Sequence, residues 1–320
     1  MLNNVPRLTI GLPVYNGQNY VAEAIESLLG QTFEDFELII SDNASTDSTG
    51  DICRRYQKQD SRVRYVRQPH NVGIAPNHNF IVSEARGELV KWASHDDLYA
   101  RDMMERCVQA LDDDPQVVLA HPWTAIIDGA GQLTAAIEYP LNTSSRSAPE
   151  RFRSTLVANG GDDTGGVIRT EVMRRTTLLN SFHHADRTIT TELALHGPFH
   201  QVPDWLYFRR EHADRNERTS PTVRARCANL DPRRADPIRH PVARLYGEYI
   251  WGYVAAIRNA PLTSAERRAC YGHLADYLTS RARPGHGQPM ATMSAPRASR
   301  EAAALVSVGV AVAGQESRVS

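Results

Sequence analysis

The chain is poor in cysteine, in long apolar runs and in any excess of one charge. Its four cysteines, Cys53, Cys107, Cys227 and Cys270, are far apart and form no Cys-x-x-Cys pair. That argues against a zinc site or a disulfide framework and fits a reducing compartment. Basic and acidic residues number 36 and 37, a net charge of −1. No global basic field is available for nucleic acid, so a phosphate-bearing partner has to be held by local chemistry. The N-terminus has no basic stretch leading into a long apolar one, and no signal peptide is read there. The longest apolar run, residues 302–314, is too short and too rich in small residues to span a bilayer. Three enzyme signatures are missing as well. There is no GxGxxG after the first strand, no GxxxxGK[ST] and no GxSxG, which argues against a dinucleotide site, a P-loop and a nucleophile elbow.

What is present is ordinary globular material. Hydrophobic residues make up 41% and charged residues 23% of 320 residues, enough apolar surface for one large domain with an extension. The first 130 residues alternate in pattern. Leu8 to Val14, Phe36 to Ile40, Val63 to Val66, Glu88 to Ala93 and Val117 to Ala120 read as strands. Asn19 to Leu29, Asp47 to Gln57, Ala75 to Ala85 and Ala100 to Leu111 carry helical spacing between them. This alternation predicts an α/β fold, a mainly parallel sheet with helices on both faces. Residues 126–182 are less regular, with a hairpin turn at Asp128-Gly129 and a glycine-rich loop around Asp162-Asp163. Thr188 to His196 is a helix and Val202 to Arg210 a final strand. Arg244 to Ile257 and Ser264 to Leu278 are amphipathic helices, preceded by an exposed linker over Asp231 to Pro241. The division expected is 1–215 for the main domain, 216–283 for a helical extension and 284–320 for a disordered tail.

In such a sheet, ligands sit beyond the carboxyl ends of the strands. The loops there hold the candidate residues. Asp96 and Asp97 are adjacent carboxylates that repel unless a cation lies beside them, and hard divalent ions take such oxygens together with a diphosphate. Helix capping is the plain alternative. Asp42 can accept from a nucleobase N–H or a ribose hydroxyl, or make an Asx turn. Tyr15 and Asn16 suit stacking and edge recognition of a base, or turn chemistry with Gly17. Gly73, after His70-Asn71-Val72, either lets backbone approach a ligand or turns with positive φ. Asp186 is either a helix-start carboxylate or a general base for an acceptor hydroxyl. Adjacent His183 and His184 point apart in most backbones and make a poor metal pair.

Taken in order, Thr9-Ile10-Gly11-Leu12-Pro13-Val14-Tyr15-Asn16-Gly17, Glu37-Leu38-Ile39-Ile40-Ser41-Asp42-Asn43-Ala44-Ser45-Thr46-Asp47, Asn71-Val72-Gly73 and Ser94-His95-Asp96-Asp97 resemble the family 2 glycosyltransferases with a GT-A fold. The likeness covers roughly residues 7–210. It implies an inverting transferase, of hexosyltransferase type, with a nucleotide-diphosphate sugar as donor and Mg²⁺ or Mn²⁺ as cofactor. Pro13, Tyr15 and Asn16 would line the nucleoside pocket, Asp42 would meet base or ribose, Gly73 would belong to the donor site, and Asp96 would lie near ribose and sugar. Asp97 would be the main metal-linked carboxylate of a DXD-like motif, and Asp186 the catalytic base, with Asp163 its rival. Ser94 and Ala185 stand where the family pattern carries acids. The acceptor implied is a glycan, a lipid-linked sugar or a small molecule, in cell-surface glycan, glycolipid or natural-product synthesis. The location implied is cytoplasmic, with the inner membrane face an alternative. A nucleotidyltransferase-like enzyme and an inactive nucleotide-sugar-binding homologue are the rival readings. The C-terminal helices are read as packing on the main domain, with a dimer contact or a membrane surface as alternatives.

Overall fold

A computed structural model describes residues 5–137, 142–157, 163–213, 215, 220 and 222–281. Strand and helix alternate at the start: β1 (Leu8–Val14), α1 (Val21–Leu29), β2 (Phe36–Asp42), α2 (Thr49–Gln59), β3 (Val63–Arg67), α3 (Ile74–Glu84) and β4 (Leu89–Trp92). There follow β5 (Leu98–Tyr99), α4 (Met103–Asp113), β6 (Leu119–Ile127), β7 (Leu133–Ile137) and α5 (Ala148–Val157). Next come β8 (Val167–Arg169), α6 (Thr170–Arg175), α7 (Ala185–His196) and β9 (Phe199–Arg210). Helices α8 (Val223–Leu230), α9 (Val242–Asn259) and α10 (Ser264–Arg281) close the described chain.

Among the described residues the strands form one nine-stranded sheet, ordered β3-β2-β1-β4-β8-β6-β9-β5, with β7 paired to β6. The first four are parallel, β8 is antiparallel to β4 and β6, and β6 and β9 are parallel to one another. Every residue of β1 and β2 is buried. Alternation along β2 divides the core: Leu38 and Ile40 face α1, α2 and α4, while Ile39 faces the cluster that includes Ile81 of α3 and Leu193 of α7. Each such buried aliphatic contributes on the order of 2 kcal/mol. Gly11 is the small residue that lets α3 lie on β1, since a Cβ there would stand 2.1 Å from Ile81 Cγ2.

The mainly parallel sheet covered on both faces is therefore as the alternation predicts. The elements that periodicity misses are the shortest ones: β5 has two residues and β8 three, too few to show a period. Helices α5 and α6 lie in the stretch read as irregular. The turn at Asp128 is a hairpin, joining β6 and β7, with the Gly131 N–H donating to the Asp128 carbonyl at 3.0 Å. The segment Asp231 to Pro241, read as an exposed linker, holds a buried Asp231 whose carboxylate accepts from the Arg233 N–H at 3.0 Å.

The C-terminal helices share the main core. Tyr253 of α9 and Cys270 and Leu274 of α10 belong to the same buried cluster as Phe152, Ile168 and Leu193. Helix α8 meets α3, and this contact explains Gly73. Its φ is +93°, and a Cβ there would lie 2.5 Å from the Leu230 carbonyl oxygen and 2.9 Å from Asp231 Cα. The Cβ direction is filled by the end of α8, so the glycine allows a close approach of the chain's own backbone. Gly160, Gly161 and residues 284–320, read as a loop and a tail, lie outside the described residues. Replacing Gly73 by Ala combines positive-φ strain with a backbone clash, so Gly73→Ala is expected to lower stability by about 2 kcal/mol, read as a lower thermal midpoint.

Candidate functional site

The carboxyl ends of β1, β2, β4, β6 and β9 point to one rim of the sheet. Asp42 ends β2 there with no exposed surface. Its Oδ2 accepts from the Tyr65 hydroxyl at 2.6 Å and from Arg67 at 2.8 Å, and its Oδ1 accepts from the Ser45 N–H at 2.8 Å. Both oxygens are thus engaged, and the group of this cluster that faces solvent is Arg67, whose side chain is 44% exposed. The turn after β1 is laced to the turn after β2. The Asn16 N–H donates to Ser45 Oγ at 2.9 Å, and the Thr46 N–H donates to Asn16 Oδ1 at 2.8 Å. Asn16 holds φ +50°, which its short amide tolerates. Tyr15 is exposed beside it, above the buried Pro13 and Val14. Gly17 lies against the His95 ring, which joins these turns to the loop after β4.

That loop carries the two adjacent aspartates, and the fold separates them sharply. Asp97 has no exposed surface. The Tyr207 hydroxyl donates to one of its oxygens, and the Arg210 N–H donates to the other at 2.8 Å, with Arg215 at 3.4 Å. Burial, then the neighbouring Asp96 charge, push its pKa up to about 6. Asp96 goes the other way. Burial works against its charge, but His95, Arg215 and donors from Ser94 and His212 outweigh that and hold it down at about 2. Ser94 Oγ donates to Asp96 Oδ1 at 2.6 Å, and His212 Nε2 stands 3.0 Å from Asp96 Oδ2. The fully buried Arg210 braces the pair. It donates to the Asp96 carbonyl at 2.8 Å and to Glu23 of α1 at 2.6 Å, and its guanidinium lies 4.6 Å from the Tyr20 ring centroid.

Asp97, read as the metal-linked carboxylate, is buried and meets three protein donors inside the fold. The geometry suited to an ion is the Asp96–His212 pair. An ionised carboxylate and an imidazole about 3.0 Å apart match neighbouring corners of an octahedral ion with bonds of about 2.1 Å. His212 Nδ1 is buried and has no hydrogen-bond partner among the described residues. Among the described residues no group of three or more His, Cys, Asp or Glu could hold a metal.

Asp186 opens α7 and is exposed. Helix α7 runs down to Gly197, which packs against Gln116 and Val118 just before β6, so its start lies at the opposite rim, the one that Asp42 and Asp96 share. The Asp163–Gly165 turn packs against both α7 and β4, where buried Lys91 donates to the Gly165 carbonyl. The side chain of Asp163 lies outside the described residues. The His183 and His184 rings lie side by side, tilted by 40° with centroids 3.7 Å apart, and pack against Tyr246 and Tyr249. His184 takes φ +57° directly before α7.

Sequence reading missed His212, Arg210, Arg215 and Tyr207. The signal was available in the topology. If β9 is the last strand and runs parallel to β6, the segment Arg210-Glu211-His212 must emerge at the ligand rim.

Comparison with known proteins agrees with this layout. Residues 9–180 match the model of a family described as Glycosyl transferase family 2. Glycosyltransferase GlyG of Streptococcus pneumoniae is 34% identical over 115 residues, covering 36% of this chain and 38% of that protein. The chain spans well under two thirds of the length of the first curated relatives it matches. Among solved structures, S. aureus TarS 1-349 in complex with UDP-GlcNAc has a TM-score of 0.63 at 18% identity, over 85% of this chain and 71% of that one. The mannosyltransferase PcManGT from Pyrobaculum calidifontis, in complex with GDP-Man and Mn²⁺, has a TM-score of 0.51 at 19% identity, over 97% and 81%. At these identities the structural likeness speaks for the fold, which is of the GT-A kind.

The two aspartates should separate in a stability measurement. Asp97→Ala leaves three donors without their acceptor and is expected to cost about 3 kcal/mol in denaturant unfolding. Asp96→Ala, which removes the acceptor of Ser94 and the partner of His212, is expected to cost less, about 1 kcal/mol. Equal losses would mean that the two carboxylates share one role.

Proposed function

The chain belongs to glycosyl transferase family 2, and from that premise we propose that it moves a sugar from a nucleotide-diphosphate sugar to an acceptor hydroxyl with inversion. The observation that carries the reading is the Asp96–His212 pair, set at the rim where the loops after β1, β2 and β4 are tied together. The nucleoside would lie across Tyr15 and the Asn16 turn, with Asp42 orienting Arg67 toward the base. Asp96 and His212 would hold a divalent ion, Mg²⁺ or Mn²⁺. When bound, such an ion neutralises charge on a departing diphosphate. Asp97 keeps β9 seated so that Asp96 and His212 stay paired.

Asp186 would accept the proton of the attacking acceptor hydroxyl as its oxygen bonds to the anomeric carbon. Two features support the placement: the carboxylate is exposed at the same rim, and it starts a helix anchored on a packed aromatic cluster. Relatives named as a putative teichuronic acid biosynthesis glycosyltransferase of Bacillus subtilis and as hyaluronan synthase of Pasteurella multocida favour glycan synthesis as the setting. The division into a catalytic unit of 1–215 and a helical extension of 216–283 is kept as a proposal about roles, with the two parts sharing one core.

Nucleoside diphosphate release over a panel of UDP- and GDP-sugars, with Mn²⁺ or with chelator, tests this. Asp96→Ala and His212→Ala are expected to lose metal-dependent donor binding in calorimetry. Asp186→Ala should bind donor and metal within about threefold of the parent while turnover drops by about 10²–10⁴. Near-parental turnover in Asp186→Ala would remove that base, and donor binding indifferent to Asp96, His212 and metal would remove the site.

A further inference from the structure

Helix α9 is buried on one side and leaves an unusual surface on the other. Eight large hydrophobic side chains are exposed among the described residues, and five of them fall between residues 238 and 251. Ile238, Val242, Tyr246 and Ile250 recur every fourth residue, and Trp251 follows. Ile238 is 89% exposed, Trp251 58% and Tyr246 44%. A soluble surface shows such residues singly, and a run of them marks an interaction face.

The arrangement around the helix says what kind. Residues seven apart share a face, so Arg244, Trp251 and Arg258 form one row. Val242, Tyr246 and Ile250 form another. Between the rows lie Ala243, Gly247 and Val254, which keep the outward half of the helix low. No carboxylate lies between the rows. Glu248 is turned aside to Arg234 and Arg244, at 2.6 and 2.8 Å. Over residues 231–258, five arginines against Asp231, Asp236 and Glu248 leave a net charge of +2, in a chain whose net charge is −1. An apolar face with Trp and Tyr on it and arginines at its edges is the pattern of a helix lying in a bilayer interface. No described helix is long and apolar enough to cross a membrane.

We propose that the outer face of α9, with Ile238, docks on the surface of an anionic phospholipid bilayer. Val242, Tyr246, Ile250 and Trp251 enter the interface, and Arg244 and Arg258 meet the headgroups. The face starts at the rim of the site. Tyr246 lies 5.7 Å, ring to ring, from His183, three residues before Asp186. Docking therefore brings the Asp186 side of the protein to the lipid surface, which selects an acceptor whose hydroxyl is presented there by a membrane-embedded tail. This last step rests on the proposed function; the docking itself does not.

The test is co-sedimentation of the full chain, without donor, with vesicles of phosphatidylcholine alone or with about one third phosphatidylglycerol. Binding is expected to the anionic vesicles, weakening as salt rises, with a blue shift of tryptophan emission. The double variant Ile250→Asn with Trp251→Ser is expected to lower that binding at least tenfold, and Arg244→Gln with Arg258→Gln to lower both binding and its salt dependence. Far-ultraviolet circular dichroism, thermal midpoint and donor calorimetry on the same variants should match the parent. The proposal is overturned if the parent ignores both vesicle types, or if the double variant binds as the parent does. It is also overturned if the variant instead converts a dimer to a monomer in sedimentation velocity, which would make the face a contact between two copies. Because vesicle binding is read without turnover, a failure here leaves the glycosyl-transfer reading standing, and the reverse also holds.

Discussion

A carboxylate sealed from water holds this molecule's two halves together. Asp97 stands just past β4, in the parallel part of the sheet, and takes its donors from Tyr207, Arg210 and Arg215, at the end of β9 and just beyond it. A buried charge is stable only when its lone pairs are met, so the end of β9 has one place to go. That constraint seats His212 against Asp96 and leaves Arg210 between Asp96, α1 and the β6–β7 hairpin. Two adjacent aspartates thus meet different partners: Asp97 is held by β9 and Arg215, and Asp96 by Ser94 and His212.

Much of the fold could be read from the chain because its strands are long, apolar and punctuated. Leu8 to Val14 and Phe36 to Asp42 are buried throughout, and helices with clear spacing separate them. The loops that end these strands point to a nucleotide site because open α/β sheets bind there. The limits are equally physical. A strand of two or three residues, such as β5 or β8, has no period to detect. Spacing alone does not say which of Asp96 and Asp97 faces inward; that depends on a strand 110 residues further on, which supplies Tyr207. His212 is 116 residues from its partner, and only the strand order brings the two together. Gly73 is open to two readings in the sequence, and the structure shows the positive φ together with a contact with the end of α8 that local sequence cannot reveal.

The rim is also more rigid than its loop-rich sequence suggests. Asn16, Ser45 and Thr46 cross-link two turns, Asp42 orders Tyr65 and Arg67, and the Asn43 amide bridges Asn71 and the Gly73 carbonyl. Three of these bonds join a side chain to backbone and three join two side chains. A pocket built this way is formed before a ligand arrives, which lowers the ordering cost of binding.

The seam between α8 and Gly73 has a practical corollary for anyone who would recombine such proteins. The third strand-end loop has no lid of its own and borrows one from a segment about 160 residues downstream. A chimera spliced after β9 would inherit a bare glycine turn and an open flank where Tyr253 and Leu274 had been. Catalytic cores of this kind should therefore be exchanged as a unit with their trailing helices, even where the two seem on paper to be separable modules.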